Sequence, residues 1–188
     1  MKYNKLGQTD LVVSELCLGT MTWGTQNSAD DAFYQIEKSI DAGINFIDTA
    51  ELYPVNPISG VTQGESERIL GEWLSRSNVR DELIIATKIA GNGPKHIRNG
   101  EGITGKSLFT AINASLKLLK TDYIDLYQLH WPNRGSYHFR QNWRFDPTKQ
   151  DKKLVLDHMN EVLEACDILK KEGKVRAFGL SNESAWGT

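Results

Sequence analysis

Asp48, Tyr53, Lys88 and His130 stand at or just beyond the ends of three short apolar runs in this chain of 188 residues. A carboxylate, a phenol, an ammonium and an imidazole brought together form an acid–base set. A free phenol has a pKa of about 10, too high for easy proton release at neutral pH. An adjacent ammonium favours the phenolate and lowers that value. On this reading Tyr53 donates a proton and Lys88 lowers its pKa. Asp48 holds Lys88 charged and oriented, and His130 donates a hydrogen bond to the substrate oxygen.

Residues so far apart in sequence meet only if the runs carrying them lie side by side. Ile44–Ile47, Leu83–Ala86 and Tyr123–Leu129 are short, rich in β-branched or aromatic side chains, and bounded by turn residues or charge, as buried strands are. Leu16–Leu18, ending at Gly19, and Val175–Leu180, ending at Ser181-Asn182, bring the expected strands to five. Amphipathic stretches alternate with them. Ser28 caps a predicted helix running to about Ala42, with Phe33, Ile36 and Ile40 on one face and Gly43 ending it. A second spans about Glu65 to Ser75 and buries Ile69, Leu70, Trp73 and Leu74. Thr104 caps a third through Lys120. A fourth runs from about Val155 to Lys171, with Leu156, Met159, Leu163, Cys166 and Leu169 as its apolar stripe.

Alternating strands and helices with strands about 40 residues apart suit a (β/α)8 barrel or an open doubly wound sheet. Two details favour the barrel. No Gly-x-Gly-x-x-Gly follows the first strand, and polar residues recur at successive strand ends, as a barrel mouth requires. Residues 2–14 read as a hairpin turning near Gly7 that plugs the opposite end. A complete barrel takes about 250 residues. The expectation is therefore one domain over 1–188, a TIM barrel truncated to about five strand–helix units, with a fifth helix starting near Glu183. Such a piece exposes edge strands and apolar lining, which favours self-association.

With 39% hydrophobic and 24% charged residues and a formal net charge of -2, the chain has no bias towards nucleic acid or an acidic membrane as partner. No segment approaches the roughly 20 apolar residues of a membrane span, and no apolar leader opens the chain, which fits a cytoplasmic protein. Cys17 and Cys166 read as reduced, buried thiols.

The motifs carry a family resemblance. Gly19-Thr20-Met21-Thr22-Trp23-Gly24, Gly43 to Tyr53, Ala86-Thr87-Lys88, Asp122 to Pro132 and Gly173 to Asn182 resemble, in order, those of the aldo-keto reductase superfamily. Glu51-Leu52-Tyr53-Pro54-Val55 and Thr62-Gln63-Gly64 are most similar to its bacterial Tas-like branch. The resemblance implies an NADPH-dependent oxidoreductase reducing aldehyde or ketone carbonyls, with Asp48, Tyr53, Lys88 and His130 as catalytic set. Hydride has to come from a cofactor because no side chain carries it. The resemblance further implies cofactor contacts from Gly19, Thr20, Met21, Asp48, Ser181 and Asn182, with Trp23 and Trp131 lining the substrate pocket. Pro54 departs from the family pattern, in which many members have glycine after the tyrosine.

Other readings of the same residues stand beside this one. Ser181-Asn182 also suits a helix cap, and Trp23 and Trp131 also suit core packing. A non-catalytic, cofactor-sensing subunit or an inactive fragment would keep the same motifs. A metal-dependent hydrolase using His130 and Asp48 lacks further ligands at the strand ends, and His96, His138 and His158 form no ligand spacing. The basic and aromatic stretch from Asn133 to Lys153 reads as a long loop over the barrel mouth, shaping a pocket for a small carbonyl substrate.

Overall fold

The structure, a computed structural model, describes residues 1–185. An N-terminal hairpin pairs β1 (Tyr3–Lys5) with β2 (Val12–Ser14) antiparallel, as the polar turn at Gly7 predicts. There follow β3 (Leu18–Gly19), α1 (Ala29–Asp41), β4 (Phe46–Asp48), α2 (Glu65–Leu74), β5 (Ile84–Ile89), α3 (Gly105–Leu119), β6 (Ile124–Leu129), α4 (Lys152–Lys171) and β7 (Val175–Leu180). The last five strands form one parallel sheet in the order β3-β4-β5-β6-β7. A doubly wound sheet reverses direction at a switch point, whereas this order never does. That sequential winding is the one a barrel uses.

The two faces of the sheet bury different things. In β5, Ile85 and Ile89 join the main core with Ile36, Ile69, Leu70, Leu108, Ile112, Val162 and Leu169 from the four helices. Ile84 and Ala86 point the other way and pack with Leu126, Ala177 and the hairpin residues Leu11 and Val13. Lys88 shares their parity. The hairpin therefore closes one end of the face on which Lys88 stands and leaves the C-terminal strand ends open above it.

Helix ends follow the side-chain chemistry. Ser28 with Asp31, and Thr104 with Ser107, form complete capping boxes for α1 and α3. α4 begins three residues earlier than its apolar stripe implies, because the Asp151 carboxylate accepts the Leu154 amide at 3.1 Å and caps the helix there.

Three sequence expectations need correcting. In α4 the buried stripe is Val162, Ala165, Cys166 and Leu169, while Leu156 and Leu163 are 51% and 56% exposed. They lie on the side of the helix away from α3, and no described element covers them. Cys17 is exposed rather than buried, because β3 is only two residues long and ends the sheet at that edge; Cys166 is buried as expected. β5 runs on to Ile89, so Lys88 lies within the strand, paired in register with Gln128. The expected fifth helix falls largely outside the described residues.

Below the sheet's hairpin end, Asp125 is fully buried and bonded to Arg80 at 2.8 Å, Arg176 at 2.6 Å and the Ile85 amide at 3.0 Å. Arg80 also reaches the Leu83 and Tyr123 carbonyls and stacks 3.9 Å from the Tyr123 ring centroid. One carboxylate thus ties the starts of β5, β6 and β7 together. Among the described residues, no helix is long and apolar enough to cross a membrane.

Candidate active site

Backbone pairing continues past the strand ends and brings the polar residues together. The Thr20 amide donates to the Asp48 carbonyl at 3.1 Å, Glu51 to Lys88 at 3.0 Å, His130 to Ile89 at 3.0 Å and Ser181 to Leu129 at 2.9 Å. Each bond holds the residues just beyond one strand against the top of its neighbour. Asp48, Lys88, Tyr53 and His130 then converge.

Lys88 Nζ donates to Asp48 Oδ2 at 2.6 Å and to the Thr49 carbonyl at 2.8 Å. It also stands 4.8 Å from the centroid of the Tyr53 ring. The Lys88 side chain is 6% exposed, so this charge is taken out of water and compensated locally. The Tyr53 ring meets His130 edge-on, centroids 5.7 Å apart, and His130 lies 4.9 Å from Trp131.

Gln128 was not foreseen as part of this group. Its Nε2 donates to Asp48 Oδ1 at 3.0 Å, opposite the oxygen that Lys88 holds, so the carboxylate is fixed from both sides. Strand alternation carried the signal: Gln128 is two residues beyond Leu126 and must share its face.

The electrostatics correct one expectation. Burial, reinforced by the Asp48 charge, pushes the Tyr53 phenol up to about 12 rather than down. Lys88 is already neutralised by Asp48, so little net positive charge is left to favour a phenolate. Tyr53 therefore holds its proton throughout the neutral range. Burial, with Lys88 nearby, lowers His130 to about 3 and keeps the imidazole uncharged. Its Nδ1 is buried with no partner among the described residues.

Of the other expected site residues, Gly19 and Met21 are exposed beside the site, whereas Thr20 is fully enclosed and offers no surface to a ligand. Trp23 does not line the mouth. It is 1% exposed within the main core, and its Nε1 donates to Gln35 at 2.8 Å, a bond that satisfies the indole where it is buried. Trp131 does face the site. Its Nε1 donates to the Asn92 carbonyl at 3.1 Å, and a side chain at Gly91 would collide with its ring, so only glycine lets the two segments pack. Phe139, from the long loop, meets Trp131 edge-on at 5.5 Å, which brings that loop over the site as expected.

Ser181 and Asn182 end β7 half-buried. Asn182 adopts a left-handed φ of 50°, and its Nδ2 donates to the His130 carbonyl at 2.9 Å and to Ser181 Oγ at 3.1 Å. Its Oδ1 has no partner among the described residues. A hydroxyl beside an amide oxygen suits the paired donor and acceptor of a carboxamide, so these residues fit a nicotinamide. The described residues contain no grouping of three or more His, Cys, Asp or Glu able to hold a metal ion.

Behind the site, on the helix side of β5, Glu67 is 1% exposed and accepts the Thr87 hydroxyl at 2.6 Å. Burial raises its carboxyl to about 7, against the smaller pull of the Thr87 hydroxyl. An acid whose folded pKa lies above its unfolded value is most favourable to folding when protonated, so stability falls as pH rises through the interval from 4.5 to about 7. Glu67→Gln removes this term. Relative to wild type, the variant should gain about 3 kcal/mol between pH 4.5 and 8, read by urea denaturation across that range. A difference that does not change with pH would mean that Glu67 ionises as freely folded as unfolded.

Comparisons with known proteins bear on the family and the fold. The Aldo/keto reductase family model matches residues 15–188. Protein tas of Escherichia coli (strain K12) is 40% identical over 190 residues, covering 100% of this chain and 54% of the relative. Norsolorinic acid reductase stcV of Emericella nidulans is 36% identical, covering 93% of this chain and 41% of the relative. Among solved structures, the holo form of aldo-keto reductase AKR11C1 from Bacillus halodurans superposes with a TM-score of 0.71 at 32% identity, covering 96% of this chain and 50% of that one. The chain thus spans about half the length of the relatives it matches, and its five-stranded sheet is a truncated (β/α)8 barrel. It belongs to the aldo/keto reductase family, whose members carry out oxidoreduction.

Proposed function

We propose that the site serves NADPH-dependent reduction of a small aldehyde or ketone to the alcohol, with Tyr53 as proton donor. The observation that carries this reading is the buried Lys88, held by Asp48 on one side and facing the Tyr53 ring on the other, with an uncharged His130 beside them. The reduced nicotinamide, when bound, supplies hydride to the carbonyl carbon. Ser181 and Asn182 bind its carboxamide, and Gly19 and Met21 border it. Everything else falls to the side chains.

As hydride reaches carbon, charge grows on the carbonyl oxygen, and the Tyr53 proton moves to that oxygen. The Tyr53 ring that gives up the proton stays beside Lys88, which Asp48 keeps from turning away while Gln128 fixes that carboxylate. His130 Nδ1 is enclosed, so Nε2 is the nitrogen that donates a hydrogen bond to the substrate oxygen. A neutral donor orients the carbonyl without adding a second cation beside Lys88. Trp131 and Phe139 flank the substrate, and the long loop shapes its pocket.

The test is NADPH oxidation, followed at the cofactor's near-ultraviolet absorbance, with a panel of small aldehydes and ketones. Oxidation dependent on added carbonyl is expected. Binding of NADPH without turnover would favour a cofactor-sensing subunit instead. Neither Tyr53, at about 12, nor His130, at about 3, titrates near neutrality, so kcat should be flat from pH 5 to pH 9. An inflection near pH 6.5 that survives Glu67→Gln would overturn the role given to neutral His130.

A further inference from the structure

Residues 90–102, between β5 and α3, play no part in the chemistry above, yet they supply the counter-charge to a buried carboxylate next to Tyr53. Glu51 precedes Tyr53 by two residues on the turn after β4 and is 7% exposed. Four of its polar atoms are tied to other segments. Its amide donates to the Lys88 carbonyl at 3.0 Å, and its carbonyl accepts Gln63 Nε2 at 2.9 Å. Its Oε2 accepts the Ala90 amide at 2.8 Å, and its Oε1 is bonded to Arg98. Arg98 Nη2 donates in turn to the Ala90 carbonyl at 2.7 Å. A single ion pair, its side chains 11% and 9% exposed, thus joins the Tyr53 turn, the end of the Lys88 strand and the loop beyond it.

The loop folds back to make this contact. Arg98, Asn99 and Gly100 have φ of 44°, 57° and 84°, and the first two are side-chain-bearing residues held in the left-handed region. Such a conformation persists where surrounding contacts impose it. Leu52, Ala90 and Ile97 form a small core with Val55 and Trp131 packed against it, so the chain on either side of Tyr53, the 90–102 loop and Trp131 share one cluster.

We propose that Glu51 and Arg98 are a positioning pair that sets the Tyr53 ring against Lys88 and His130, an assignment that rests on the reductase reading of the site. Neither residue touches the reacting atoms. Removing Arg98 cuts the tie that Glu51 and the Ala90 carbonyl share, so the turn carrying Tyr53 loses the contact that sets it. Arg98→Met also leaves the Glu51 carboxylate buried without its cation, a penalty that Glu51→Gln/Arg98→Met avoids while the tie stays cut. The rest of the fold has no need to move.

The experiment measures geometry directly. In protein with labelled tyrosines, assigned through Tyr53→Phe, nuclear Overhauser contacts from the Tyr53 ring to the Lys88 ε-methylene and the His130 ring are compared across variants. They should fall to background in Arg98→Met. They should also do so in Glu51→Gln/Arg98→Met, which buries no unpaired charge and so retains a cooperative unfolding transition. Val162→Ala, which weakens the core at α4, should leave them intact. Contacts retained in the folded double variant, or lost equally in Val162→Ala, would overturn the proposal. Where the wild type turns over, Arg98→Met should lower kcat with KM for NADPH unchanged. A wild type that reduces no carbonyl overturns the reductase reading, while the ring contacts still decide whether the pair positions Tyr53.

Discussion

Tyr53→Phe should lower kcat at least ~100-fold while leaving NADPH affinity and thermal stability close to wild type. The structure makes this an unusually clean substitution. The phenyl ring keeps its edge-on contact with His130 and its place beneath Lys88. The hydroxyl donates to and accepts from no described residue, so its loss strands no buried partner. Only the proton-donating hydroxyl is removed. Steady-state kinetics together with a melting curve check both halves of the expectation. A kcat within tenfold of wild type would remove Tyr53 from the mechanism and leave His130 as the donor to test. The high pKa strengthens the argument: a phenol held at about 12 carries its proton at every physiological pH and releases it only as the substrate oxygen becomes basic in the transition state.

Asp125→Ala should cost about 3–5 kcal/mol of stability, at the opposite end of the sheet from the chemistry. Asp125 is fully buried between two guanidinium groups. The Arg176 side chain is 38% exposed and can turn to water, but that of Arg80 is only 15% exposed and is pinned to two backbone carbonyls and the Tyr123 ring. Without Asp125 its charge stays buried and uncompensated, and the Ile85 amide loses its acceptor. For a chain of this size the loss corresponds to a fall in Tm of roughly 10 °C, measured by calorimetry. A loss below about 1 kcal/mol would show that the cluster exchanges with water instead of holding the strand starts together. Contacts at the N-terminal ends of barrel strands serve stability, while those at the C-terminal ends serve the site. Asp125 and Asp48, both carboxylates facing cations, illustrate the two ends.

Local rules were readable where the signal lies within a few residues. Ser28 and Thr104 cap their helices because a hydroxyl three residues before a free amide satisfies it regardless of what surrounds the helix. The apolar runs became strands, and their ends carried Asp48, Tyr53, Lys88 and His130 to one place, because parallel strands joined by helices align their C-terminal ends. Contacts set by long-range packing were not readable. Gln128 grips Asp48 from 80 positions away; strand alternation gives its face, but nothing near either residue names the partner. Arg98 finds Glu51 only because residues 98–100 turn left-handed, which Asn99 and Gly100 tolerate but the residue type at 98 disfavours.

Burial decided the rest. The periodicity of α4 identified an amphipathic helix, but which of its adjoining apolar stripes is buried depends on where α3 and the sheet lie against it, so Val162 and Ala165 are enclosed and Leu156 and Leu163 are not. Trp23 and Trp131 are alike in type and in their place after a strand, yet one fills the core and the other borders the site. Charge followed the same division. The sequence by itself determined that a phenol and an ammonium would be neighbours. Only the tertiary structure decided that Asp48 would neutralise the ammonium first, leaving desolvation to dominate and the Tyr53 proton in place. Chemistry is written in residue types, but a pKa is a property of everything within a few ångströms, and that neighbourhood exists only once the chain has folded.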